Sequence, residues 1–333
     1  MTPFLASRAG RLPRLVTLLL PITPIAPTVA IVAIGVIGVI GVVQVSGAAA
    51  HAAEPSVQGR SLLGRDLVAQ EPSEEQGAAI EAARRELAVA PGDPERVIAL
   101  GRALSAVWSY REAIDVYSRG LEQHPGNALL YRHRGHRYLS LRDFARAEAD
   151  LERAGEIDLA SPGSLEAGPR FDIWYHLGLA RYLQGDFAGA AQAYGTCRDA
   201  IAAGDDESLV AVTHWLYMSL RRAGEAEAAR AALAGTHAGM QVEENRAYFD
   251  LLRLYRGEAS VDDVYDPASA TPLDLATTGY GVANWWLYGG DEAAARALFE
   301  KILAGPYWPA FGHVAAEAEV ARLAARAGAG GHG

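Results

Sequence analysis

The chain of 333 residues is long enough for one large domain or two ordinary ones, with ample length to bury a core. Acidic residues outnumber basic ones 40 to 30, and the first 52 residues hold three arginines (Arg8, Arg11, Arg14) and no acid, so the remainder carries a charge of −13. That balance repels phosphate backbones and argues against a nucleic-acid partner, while the single cysteine, Cys197, excludes an intramolecular disulfide, a four-cysteine zinc site and a CxxC redox pair.

The first element is an address. No charged residue occurs between Arg14 and His51, and Leu15 to Val45 is apolar apart from Thr, Pro and Gln44. Small residues from Ser46 to Ala50 lead into Ala50-His51-Ala52, which fits a signal-peptidase site and predicts cleavage after Ala52. The uninterrupted run from Thr28 to Val45 is also long enough to span a bilayer, so residues 28–45 as a retained anchor stand as the alternative. Either way the basic start keeps the N-terminus in the cytoplasm and sends the body across, so the expected location is exported, periplasmic or extracytoplasmic, with the membrane touched only by this segment.

Residues 53–73 mix Pro, Gly, Ser, Gln and both charges with weak periodicity, and are expected to form a disordered tether. Glu74 to Val89 reads as a lone capping helix. Beyond it the pattern is helical, with apolar residues at three- and four-residue steps.

The helical part repeats. Pro91 and Pro125 lie 34 residues apart, and Gly101, Leu104, Ser109-Tyr110, Ala113, Tyr117 and Gly120 recur 34 residues later as Gly135, Tyr138, Asp143-Phe144, Ala147, Leu151 and Ala154. A third unit reads Trp174, Leu177-Gly178, Gly185-Asp186-Phe187, Ala190 and Tyr194. These three units resemble the tetratricopeptide repeat, in a pattern seen in exported bacterial members of that family. The resemblance implies an all-α fold, a right-handed superhelical solenoid of helix-turn-helix units, with small residues where the helices of each hairpin cross.

Later units are looser. A fourth is read from Thr213, Leu216, Leu220, Gly224-Glu225, Ala229 and Leu233, with Tyr217 in place of the small residue. Residues 243–275 match a fifth in length only, with Asp262 where alanine is expected; a sixth recovers the pattern at Ala283, Trp286, Gly290-Asp291, Ala295, Phe299 and Ile302. Trp308 to Ala327 is expected to cap the end. Polar or Gly/Pro-rich insertions at residues 158–170 and 204–207 divide the array into residues 74–157 and 171–327, with a hinge at 158–170.

No phosphate-binding loop, HExxH helix or GxSxG elbow occurs, so no catalysis and no cofactor are expected. The histidines His133, His136, His176 and His214 fall on equivalent helices, yet stacked units stand roughly 10 Å apart, so no metal site is expected and the rings read as partly exposed on the inner wall. Cys197 replaces an alanine in the core. The acidic pairs Asp205-Asp206 and Asp262-Asp263 read as solvated loop charge.

What remains is the inner wall. If the first helix of each unit lines the concave face, as the resemblance implies, the residues turned toward it are Arg102, Arg132, His133, His136, Tyr175, His176, Tyr182, His214, Met218, Arg221, Arg222, Tyr280, Asn284 and Tyr288, a set with no acid. Arginine pairs bidentately with carboxylates and tyrosine gives broad contact at low entropic cost. The expected function is a non-catalytic scaffold or adaptor that binds another protein, or an acidic or carboxylate-ended peptide segment, in this groove. The alternative is an envelope accessory protein binding a small molecule or glycan through the Tyr and Trp of units three and six.

Overall fold

The computed structural model describes residues 56–330, with side chains described to residue 328. The expected signal peptide or anchor and the cleavage point after Ala52 lie outside the described residues, among which no helix is long and apolar enough to cross a membrane. The described chain begins with a two-stranded antiparallel hairpin, β1 (Val57–Arg60) and β2 (Asp66–Val68). This corrects the expected disordered tether. Leu67 and Gln58 are buried, because the hairpin lies against other elements and does not need a core of its own.

Helical hairpins follow in chain order. The helices are α1 (Glu74–Val89), α2 (Pro94–Ala106), α3 (Tyr110–Gln123), α4 (Ala128–Ser140), α5 (Phe144–Ala160), α6 (Ala167–Gln184), α7 (Phe187–Asp199), α8 (Asp206–Arg222) and α9 (Ala226–Ala232). After α10 (Arg246–Tyr255) come two single turns, α11 (Val261–Val264) and α12 (Pro272–Asp274). A π-helical turn, Leu275–Gly279, then runs into α13 (Tyr280–Gly289), followed by α14 (Glu292–Ala304) and α15 (Phe311–Gly330). Consecutive helices from α1 through to α9 pack in succession, α10 packs on α8, and α13, α14 and α15 pack in succession.

The crossings are built on small residues, as the repeat requires. A Cβ at Gly101 would overlap the Tyr117 ring, one at Gly178 would stand 2.7 Å from Tyr194, and one at Gly135 would stand 2.9 Å from Leu151. In all three cases the obstructing side chain lies 16 residues on, so the same contact recurs from unit to unit. Ala113, Ala147, Ala190 and Ala295 are completely buried at the matching positions of the second helices.

The turn inside each hairpin also repeats. Gly185, Gly224, Gly257 and Gly290 all have φ between 74° and 99°, the left-handed conformation that ends a helix, and Asp186 and Asp291 accept a first-turn amide of the helix that follows. Units one and two hold Trp108 (φ 60°) and Arg142 (φ 65°) at this position. A side chain there costs about 1 kcal/mol or more relative to glycine. The Arg142 side chain reaches the Glu317 carboxylate, and the Trp108 ring meets Tyr307 and Trp308.

Two expectations about the later units are refined. Tyr217, which replaces the small residue of its crossing, is buried and stacks on Tyr255 of α10, with ring centroids 4.4 Å apart. The fifth unit has a first helix, α10, but only the single turn α11 where a second helix would stand. At the insertion of residues 158–170, α5 and α6 extend inward and leave only residues 161–166 outside a helix. Arg170 and Trp174 both donate to the buried Asp158 carboxylate, and one hydrophobic core runs from Tyr138 to Ala318 across the proposed hinge. The expected division into two sub-arrays does not interrupt the packing.

The largest departure is at the C-terminus. Gly312 to Glu319 are eight consecutive buried residues of α15. A helix that merely capped an end would bury one stripe. α15 instead packs against α6, α13, α14 and the π turn, and Gly312 passes so close to the Ala276 carbonyl that a Cβ would overlap it. The expected cap is therefore a helix enclosed by the curve of the array.

Candidate functional site

Enclosure of α15 decides where most of the inner-wall residues go. Arg222 donates to Glu319 at 2.5 Å and to the Asn284 carbonyl oxygen at 3.3 Å, and its guanidinium lies 4.4 Å from the Phe187 ring centroid. Glu319 has no solvent exposure and also accepts from Arg322. Beside it the buried Tyr182 hydroxyl accepts from Tyr280 at 2.8 Å and from the Asn284 amide at 2.7 Å. Burial pushes the Tyr182 and Tyr280 phenols up, so both stay protonated and Tyr280 keeps the proton it donates to Tyr182. The acid that the inner-wall list lacks is thus supplied by the chain's own last helix.

The middle of the wall is packed just as closely. His136 meets His176, ring centroids 4.2 Å apart, and Phe311 of α15 at 5.3 Å. His176 bonds the Asp172 carbonyl through Nδ1 at 2.5 Å, and Tyr175 lies between Phe171 and Tyr194. His214 stacks on Tyr248, and its Nδ1 is 3.2 Å from the Tyr255 hydroxyl; Met218 is fully buried. His176 and His214 are therefore buried, not partly exposed as the sequence suggested. Burial pushes His136 and His176 well below the usual imidazole range and His214 down to about 3. At the rim, Arg221 covers the Tyr288 ring at 4.4 Å and donates to Tyr217.

The N-terminal end of the wall is open. There Arg102, Arg132 and His133 line a cleft of about 340 Å³ together with Glu95, Leu129, Pro169 and Asp172. Arg132 is held by Asp172 and its guanidinium also meets the His133 ring, but its Nε has no partner. Burial, then Arg132, pushes His133 down to about 3, which leaves its ring neutral. Arg102 is exposed and belongs to none of the ion pairs among the described residues. Asp172 is a site residue the inner-wall reading missed; the signal was its place one helical turn before His176.

Cys197 is buried, donates to the Phe171 carbonyl, and has its thiol pushed up by burial, so it behaves as core. Among the described residues no group of three or more His, Cys, Asp or Glu side chains is arranged to hold a metal ion.

A 34-residue helix hairpin, repeated with glycine or alanine at the crossings and a left-handed turn between the helices, defines the class: this chain is an all-α solenoid of helix-turn-helix repeats similar to the tetratricopeptide repeat. Folds of this class offer extended concave surfaces to partner proteins. No family model matches the chain. The co-chaperone of heat-shock protein cognate named sgt12, from Aspergillus fumigatus, is 27% identical over 154 residues, which cover 43% of this chain and 42% of that protein. The chain thus spans less than half the length of that curated relative. Among solved structures it is similar to MamA (TM-score 0.40, 18% identity, covering 55% of this chain and 90% of that one). It is also similar to YrrB (TM-score 0.40, 16% identity, covering 68% and 93%) and to BtubC from P. vanneervenii (TM-score 0.42, 16% identity, covering 76% and 90%).

Proposed function

We propose that this protein is a non-catalytic interaction scaffold that binds a partner polypeptide at the open N-terminal end of its concave wall. Arg102 and Arg132 receive an acidic side chain or a chain-terminal carboxylate there. The observation that carries the reading is the contrast along the wall. Arg222 already holds a carboxylate of the chain itself, whereas Arg102 is exposed and unpaired beside an Arg132 whose Nε is free. Glu95 and Asp172 line the same cleft, and Asp172 holds Arg132, so the attraction for a carboxylate rests on the unpaired Arg102 and the bidentate geometry of its guanidinium. The co-chaperone description of the fungal relative is in keeping with a polypeptide partner. Of the Tyr and Trp residues of units three and six, on which small-molecule or glycan binding depended, Tyr175, Tyr182 and Tyr280 are buried, whereas Trp174, Trp285, Trp286 and Tyr288 are half-buried.

The proposal includes export, with the apolar leader either cleaved after Ala52 or kept as an anchor at residues 28–45; N-terminal sequencing of the mature protein distinguishes these. Binding is tested by placing a photocrosslinking residue at Glu95, in the cleft, and at Arg85, on the exposed surface of α1, in cells making the full chain. A polypeptide adduct from position 95 that is absent from position 85 and lost in Arg102→Glu is the expected result. Adducts indifferent to both position and charge would remove the reading.

A further inference from the structure

The degenerate fifth unit leaves an opening of its own, which shares no residue with the Arg102 cleft. Asp262 stands where the repeat needs a small residue, and the chain makes only the single turns α11 and α12 instead of packing a full second helix on α10. Between α10 on one side and α11, α12 and the segment joining them on the other lies a space of about 380 Å³, within the range of small-ligand sites. Five aspartates line it, Asp250, Asp262, Asp263, Asp266 and Asp274, against one arginine, Arg246.

Most of that negative charge has no cation of the chain beside it. Asp250 holds Arg246 at 3.1 Å and Arg253 at 3.3 Å, but no ion pair among the described residues includes the other four. Asp262 makes no hydrogen bond either, and Asp263 and Asp274 each accept the backbone amide and hydroxyl of Ser260 or Thr271 on Oδ2 alone, which leaves Oδ1 free. Hydrogen bonds from Ser260 hold the Asp263 carboxyl below the usual range, and those from Ala268 and Ser269 do the same for Asp266, so both stay charged. Tyr265 borders the same opening, and although it is only 8% exposed its buried hydroxyl has no hydrogen-bond partner. Burial, then the charge of Asp266, push this phenol up, so it stays protonated beside the carboxylates. A buried hydroxyl left unpaired is costly until a partner for it arrives.

An opening lined by one sign of charge concentrates counter-ions. Its carboxylates do not converge, since among the described residues no three are arranged to hold a metal ion. Free acceptors on two separate turns instead suit a cation whose N–H donors are spaced along a flexible chain. We infer that the opening is a binding site for a linear polyamine, with one ammonium group at Asp262 and Asp263 of α11, another at Asp274 of α12, and an N–H received by the Tyr265 oxygen.

The test titrates the full chain with spermidine by isothermal calorimetry at fixed ionic strength, beside Mg²⁺ and the peptide Lys-Gly-Lys-Gly-Lys. Spermidine is expected to bind saturably with a Kd of about 0.1 mM or tighter, and more tightly than either of the other two. Asp262→Asn is expected to weaken it about fivefold and Tyr265→Phe about threefold. Glu122→Gln, which removes the same charge from an exposed acid on α3, is expected to leave it unchanged. Asp262 is exposed and unpaired, and Tyr265→Phe removes a hydroxyl alone, so neither variant depends on a lost structural contact. Absence of saturable spermidine binding overturns the site, as does an equal effect of Asp262→Asn and Glu122→Gln, which would mark diffuse attraction to net charge. Tighter binding of Mg²⁺ overturns it in favour of a metal ion, and tighter binding of the lysine peptide in favour of a basic polypeptide. Unchanged binding by Tyr265→Phe overturns the part assigned to the hydroxyl.

Discussion

Arg142 and Glu317 are 175 residues apart in the chain and form an almost completely buried ion pair at 2.8 Å. Arg142 also donates to the carbonyls of Ser140 and Trp308, and Glu317 accepts the Leu62 amide, so one pair joins unit two, the last helix and the N-terminal hairpin. The hairpin extends the joint. Trp308 donates to the Val68 carbonyl at 3.0 Å, Gln58 accepts the Arg111 amide, and Leu67 packs with Tyr110 and Trp308. An ordinary solenoid has two free ends, whereas here the first and last units are fastened together.

Removing one member of the pair leaves a buried charge uncompensated. Arg142→Ala is expected to lower unfolding free energy by about 3–5 kcal/mol, measured by urea denaturation with far-ultraviolet circular dichroism. Arg142→Met combined with Glu317→Leu is expected to recover most of that loss. A single variant within about 0.5 kcal/mol of wild type would show that the pair does not hold the seam.

Two glycines make opposite predictions. Gly312→Ala forces a Cβ onto the Ala276 backbone, which cannot rotate away, and is expected to cost about 2–3 kcal/mol. Gly195 sits inside α7 with nothing near its missing Cβ, so Gly195→Ala is expected to stabilise by about 0.5–1 kcal/mol. Thermal melts of the two variants side by side check both signs.

The buried histidines predict acid sensitivity. Burial is the main cause that holds His133 and His214 near 3 and His313 near 4, and it pushes His136 and His176 well down. An unfolded chain takes up these protons below about pH 6.5, before the folded protein can, so this contribution is complete above that pH and is lost as pH falls toward 3–4. Each histidine contributes a slope of about 1.4 kcal/mol per pH unit within that window. Urea midpoints measured from pH 7 to 5 are expected to fall steeply, and His214→Phe to flatten the slope by about one proton. A flat profile would contradict the burial of these rings.

Truncation separates a closed array from an open one. Ending the chain after Gly305 removes Trp308, Glu317 and Glu319 together and leaves Arg142 and Arg222 without their buried partners. Deleting a terminal repeat from an open solenoid costs mainly one neighbour interface. Here amide protection is expected to fall as far away as α4 and α6, read by hydrogen exchange. Loss confined to α13 and α14 would show that the seam is not cooperative.

The sequence by itself determined the local architecture. Glycine or alanine at a crossing, a left-handed residue between helices and an aspartate cap are short-range requirements, so they leave a 34-residue signature that was legible at Gly101, Gly135 and Gly178. The inner wall was only half legible for the same reason. Periodicity identified Arg102, Arg132 and His133 on the open cleft, and it also put Tyr182, Arg222 and Asn284 on the wall, but it carries no information about what covers a face. That was decided by how far the array curves. Only tertiary structure brings α15 into the concavity, where Glu317 and Glu319 meet arginines many units away, and carries Tyr307 and Phe311 to Trp108. The clues in the chain, two acids in an alanine-rich helix and a tryptophan at a glycine position, gain meaning only once the partner surface is in place, because a buried charge or a strained turn is stable only when its counterpart arrives from elsewhere in the fold.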